Sequence, residues 1–116
     1  MHLPRHEIYF IDIGANVGAF AFAVAQAGFS VIAVEAMHVC QYALRLSLCA
    51  APDVAPNMTL LPVALGREAA RCALYTGDEN VLDGHVRCGD DDQASREDAR
   101  CAPPGLDGTL VACRRP

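Results

Sequence analysis

Asp12-Ile13-Gly14-Ala15-Asn16-Val17-Gly18 stands between two apolar runs of different character. Before it, Ile8 to Ile13 is nearly continuous apolar, the mark of a strand covered on both faces. After it, Asn16 to Ala27 is rich in Ala, Phe and Val and reads as a helix, with Gly28 as its C-terminal cap. A strand, a tight glycine turn and a helix N-terminus together make a nucleotide-binding turn. The N–H groups of the first helical turn have no intrahelical partner and point outward, and the glycines let a ligand approach the main chain.

The acid at the end of the strand narrows the ligand. A dinucleotide site wants Gly at positions 14, 16 and 19 to seat a pyrophosphate, and Asn16 and Ala19 replace two of them. Asp12 would also set a carboxylate close to the phosphates, which is unfavourable at short range. A ligand that carries an ammonium or sulfonium beside an adenosine suits the turn better, and S-adenosylmethionine (SAM) is such a ligand.

A second signal follows at the right distance. Val31-Ile32-Ala33-Val34 reads as the next strand, with Glu35 at its C-terminal end, 17 residues beyond Gly18. In a Rossmann-like unit an acid about 20 residues past the glycine turn accepts hydrogen bonds from ribose hydroxyls. The bland reading is a tight turn at Gly14 and Gly18 and an exposed acid at a strand end. Both signals fall in one strand–helix–strand unit, which makes the pair more specific than a lone glycine loop.

Phe10-Ile11-Asp12-Ile13-Gly14-Ala15-Asn16-Val17-Gly18, with Val34-Glu35-Ala36, resembles the FkbM-type branch of the class I SAM-dependent methyltransferases. Leu60-Leu61-Pro62-Val63-Ala64-Leu65-Gly66 is similar to that family's segment around the third strand. The resemblance covers about residues 8–88. It implies an α/β, Rossmann-like class I methyltransferase fold, SAM as methyl donor, and O-methylation of a hydroxyl or carboxyl on a small molecule or sugar. Asp12, Gly14, Asn16 and Gly18 match the family's first SAM motif, and Glu35 matches its ribose-binding acid. In that role Asp12 favours the ammonium, Asn16 and Gly18 line the turn against the methionine part, and Glu35 holds the ribose.

At 116 residues the chain holds one domain at most. A complete class I methyltransferase sheet exceeds this length, so the fold expected is its front half, truncated after three strands and a short extra one. We expect the partial SAM-binding domain over residues 6–88 and a disordered tail over residues 89–116. From Gly89 to Arg100 there are acids and arginines and almost nothing apolar, and Ala102-Pro103-Pro104-Gly105 follows. The net charge of −5, with no basic stripe, argues against a nucleic-acid partner. No apolar run is long enough for a membrane span and no leader is visible, so a cytoplasmic location is the default.

Six cysteines contain no Cys-x-x-Cys pair, and the gap between His85 and Cys88 has no second pair beside it. We expect no metal and reduced thiols, with Cys40, Cys49 and Cys72 as small apolar residues. In the first helix Val17, Phe20 and Val24 form one apolar stripe, with Ala21 and Ala25 allowing close approach to the sheet. A second helix over about Cys40 to Ala50 buries Leu44 and Leu48 and leaves Arg45 outward, with His38 just before it near the ligand edge. Met58 to Val63 reads as a third strand whose Pro62 belongs on a sheet edge. Arg71 to Tyr75 reads as the extra strand, followed by a turn at residues 76–80.

The acceptor site and any general base lie on later strands in the family, so no catalytic residue is assigned. Two other classes remain open: a non-catalytic SAM- or nucleotide-binding remnant serving as an interaction module, and an NAD-binding oxidoreductase fragment, which Asp12, Asn16 and Ala19 disfavour. The first strand, short of a neighbour on one side, would present an apolar edge through which two copies pair.

Overall fold

The computed structural model describes residues 8–67, 69–76, 82, 84–87 and 97–102. The expected lead-in Met1–Arg5 and most of the turn at 76–80 lie outside them. Strand β1 (Tyr9–Ile13) runs into helix α1 (Ala19–Gln26), then β2 (Ser30–Val34), helix α2 (His38–Ala50), a short 3-10 turn (Ala55–Asn57) and β3 (Met58–Leu61). These three strands form one parallel sheet in the order β1-β2-β3, with Phe10 opposite Val31 and Val31 opposite Met58. Parallel strands joined by helical crossovers are the α/β architecture anticipated from the turn and its flanks.

The core sits on the face of the sheet that carries the helices. Val31 and Ala33 of β2, with Met58 and Leu60 of β3, pack with Ala21 and Ala25 of α1 and Leu44 and Leu48 of α2. Leu44 and Leu48 are buried and Arg45 is exposed, as the spacing required. In α1 the stripe differs from the one expected. Ala21 and Ala25 are the buried residues, whereas Phe20 is 77% exposed and Val17 is exposed. The helix AFAFAVAQ is apolar on every side, so periodicity alone selects no face. Close approach decides instead: Ala21 and Ala25 are small, and they let the helix backbone settle onto the sheet.

Gly28 ends α1 with a positive φ of 91°, and a pair of closing bonds satisfies the last carbonyls. Gly28 N–H donates to Ala25 O at 3.0 Å, and Phe29 N–H to Val24 O at 3.3 Å. This is the Schellman pattern. At the other side of the sheet β3 stops before Pro62, which therefore removes no ladder bond from an edge strand.

Strand β1 is not covered on both faces. Ile11 is 58% exposed, and Tyr9 and Ile13 are more so, because β1 is an edge strand with β2 as its one partner among the described residues.

A second sheet follows in the order β4-β7-β5-β6: β4 (Ala64–Leu65), β5 (Ala70–Thr76), β6 (Gly84–Arg87) and β7 (Glu97–Ala102). The extra strand expected at Arg71 to Tyr75 is β5, antiparallel to both β6 and β7. Residues 97–102, inside the segment expected to be disordered, are β7; the remainder of 89–116 lies outside the described residues. A strand paired through its main chain needs no apolar alternation, and composition does not register it. The second sheet packs on the exit from β2: Leu74 meets Met37 and Cys40, and Ala64 and Cys72 meet Ala36.

The cysteines are not all reduced. Cys40 is a buried thiol outside any disulfide, but Cys49 and Cys72 are each disulfide-bonded. Pairing depends on which residues the fold brings together, and sequence spacing carries no information on that. Among the described residues, no helix is long and apolar enough to cross a membrane.

Candidate functional site

The turn after β1 holds its shape through three residues with positive φ: Gly14 at 77°, Asn16 at 55° and Gly18 at 88°. Glycine adopts this region freely, and asparagine is one of the few other residues that tolerate it. Gly14 and Ala15 both donate their N–H to Val34 O, at 2.8 and 3.0 Å, which ties the turn to the end of β2. Gly18 N–H then donates to Ala15 O at 2.8 Å and caps the entry to α1.

Glu35 is the organising residue. It is 7% exposed, and each of its carboxylate oxygens accepts a main-chain bond. Oε2 accepts Asn16 N–H at 2.7 Å, and Oε1 accepts Met37 N–H at 2.7 Å. The carboxylate therefore braces the glycine turn against the loop that starts α2. Short bonds of this length to an ionised acceptor are the strong kind. Each carboxylate oxygen has room for about one further donor, since the pair offers roughly four lone-pair sites.

Two residues that the sequence reading did not single out support this brace. Gln41 is buried on α2, and its side-chain amide donates to Glu35 O at 2.9 Å and Ala36 O at 3.0 Å. Met37 supplies the second amide to Glu35 and is the residue on which α2 begins. A glutamine on a helix face gives no signal of such a role until the loop beside it is placed. Asn16 is fixed from its other end, where its Oδ1 accepts the Cys40 thiol at 3.4 Å.

A cavity of about 330 Å³ opens at the carboxyl ends of the parallel strands, where α/β sheets bind ligands. Gly14, Asn16 and Glu35 line one side of it. Leu74, Leu82 and Val86 line the other, contributed by the second sheet and the segment between its strands. A Cβ placed on Gly14 meets nothing within 4 Å, so the space over this glycine is open to a ligand. His38 is exposed at the first turn of α2 and is not among the cavity-lining residues.

Of the five residues singled out in the sequence, three converge on the cavity and two do not. A Cβ on Gly18 would lie 2.4 Å from Leu44 Cδ2 and 2.9 Å from Phe22 Cδ2, so Gly18 serves the packing of α1 against α2. Asp12 is half-buried on β1, and its Oδ2 is buried without a hydrogen bond. It does not line the cavity.

No protein-family model matches the chain, and no curated protein matches it. Among solved structures, the methyltransferase FkbM from Methylobacillus flagellatus KT aligns with a TM-score of 0.49 and 19% sequence identity. The alignment covers 61% of this chain and 20% of that one, so the chain spans about a fifth of its length.

Proposed function

We propose that the chain is the cofactor-binding part of a SAM-dependent methyltransferase that methylates an oxygen of a small molecule or sugar. The observation that carries this reading is the convergence of Gly14, Asn16 and Glu35 on one cavity at the strand ends. The residues present fit an adenosyl ligand. Glu35 keeps acceptor capacity on both oxygens for a pair of ribose hydroxyls, and the open space above Gly14 admits a ligand to the main chain. The apolar far wall suits a purine face. A dinucleotide is disfavoured, because Asn16 and Ala19 stand where its pyrophosphate turn wants glycine.

SAM, when bound, supplies an electrophilic methyl group. This chain's residues hold and orient the donor, which is where proximity gains arise. Isothermal calorimetry tests the assignment: S-adenosylhomocysteine binds and NAD(H) gives no heat. Binding of NAD(H) with S-adenosylhomocysteine silent overturns it.

One observation favours a second reading, a binding module without chemistry of its own. Among the described residues that line the cavity, Glu35 alone is ionisable, and both its oxygens already hold main-chain amides. Binding without transfer of a labelled methyl group to any acceptor distinguishes this reading from the first.

A further inference from the structure

We propose that the outer face of the second sheet binds an extended acidic peptide segment whose acids fall at every second position. Side chains along β5 and β6 alternate between the two faces of that sheet. Leu74 and Val86, opposite each other in register, line the cavity. The alternation puts Tyr75, His85 and Arg87 on the other face, with Tyr75 opposite His85 and Ala73 opposite Arg87. His85 and Arg87 are exposed, and so is Arg71, one row beyond Ala73 on β5.

Arg87 is held in a shape that suits an oxyanion. Its guanidinium carbon lies 5.7 Å from the centroid of the Tyr75 ring, on the diagonal between the two strands. Stacking on the ring fixes the guanidinium plane and leaves its edge, with the N–H fork, to meet a carboxylate. His85 stands beside the same ring and offers a ring N–H one row away.

Row spacing selects the partner. Two residues along a strand advance about 6.8 Å, so the donors of His85 and Arg87 recur at that interval. An extended peptide lying along β6 repeats the side chains of one face at the same interval. Its acids at alternate positions then meet His85 and Arg87 together, and a third reaches the row of Arg71. On the other side of β5, β7 sets Asp98 opposite Ala73, so the partner is placed over β6. Nucleic acid fits less well. The chain's net charge of −5 repels a polyanion that extends beyond the strip, whereas a short acidic segment covers the strip alone.

Fluorescence anisotropy on the full chain tests this with labelled peptides of one composition, glutamate and threonine. One carries glutamate at every second position; the other carries it at every third, which sends successive acids to opposite faces of an extended chain. The alternating peptide should bind about fivefold more tightly, near the most that one exposed ion pair supplies, and should weaken with added salt. Arg87→Ala should remove that preference. Tyr75→Phe should keep it, because a ring remains under the guanidinium, and Tyr75→Leu should lose it. Affinities of the two peptides within roughly twofold overturn the proposal, as does an Arg87→Ala or Tyr75→Leu variant that retains the preference. A single-stranded RNA of matching length that binds more tightly than the alternating peptide overturns it in favour of nucleic acid.

Discussion

Removing the Glu35 carboxylate should destabilise the fold and the ligand site together. Glu35→Ala deletes two main-chain bonds of 2.7 Å and leaves the N–H groups of Asn16 and Met37 without that partner. Hydrogen bonds to charged groups contribute roughly 1.5–3 kcal/mol each, so the pair is worth ~3–6 kcal/mol. The Asn16 bond is only partly buried, which places the expected loss near the low end, about 3 kcal/mol. Against a typical domain stability of about 5–15 kcal/mol this is a large fraction. With a urea slope of roughly 1–3 kcal/mol/M, the midpoint should fall by about 1–3 M. Glu35→Gln keeps one acceptor oxygen but turns an amide NH2 towards the other N–H, so it should fall between parent and Glu35→Ala. Urea titrations followed by far-UV circular dichroism give the order. An Ala variant within about 0.5 kcal/mol of the parent, the range of ordinary surface substitutions, would refute the brace. So would a Gln variant as unstable as Ala.

Gly14→Ala and Gly18→Ala should separate binding from packing. Both incur the left-handed strain of roughly 1–2 kcal/mol. Gly18→Ala adds overlap with Leu44 and Phe22, costing roughly 1–3 kcal/mol more, whereas Gly14→Ala meets open space and should chiefly weaken S-adenosylhomocysteine in calorimetry. Equal melting losses for the two would contradict this assignment. Phe20→Ala should change stability by no more than about 0.5 kcal/mol, while Ala25→Leu should cost roughly 1–3 kcal/mol, both read from denaturant midpoints. With β2 as its one partner among the described residues, β1 should pair with a second copy through its other edge, so light scattering should show self-association that Ile11→Lys suppresses. A parent chain that is monomeric at high concentration would count against that pairing.

Glycine, asparagine and acid at fixed spacing were enough to place the strand–turn–helix–strand unit, because each requirement is local. Left-handed backbone at 14, 16 and 18 needs residues that tolerate it, and a strand-end acid at 35 falls beside the turn in any parallel β1–β2 pair. Leu44 and Leu48 were legible for a similar reason, since α2 has a polar side to contrast with its apolar one. The sequence could not tell which glycine faces the cavity and which faces a helix. Gly14 and Gly18 share a backbone conformation, and only the position of Leu44 and Phe22 divides their roles. Nor could it show that Asp12 stays off the cavity, that Gln41 secures the loop, or that Cys49 and Cys72 are bonded. Local sequence fixes backbone geometry over a few residues. Which side chains share a cavity depends on contacts between segments distant in the chain, and those exist only once the sheet and helices have packed.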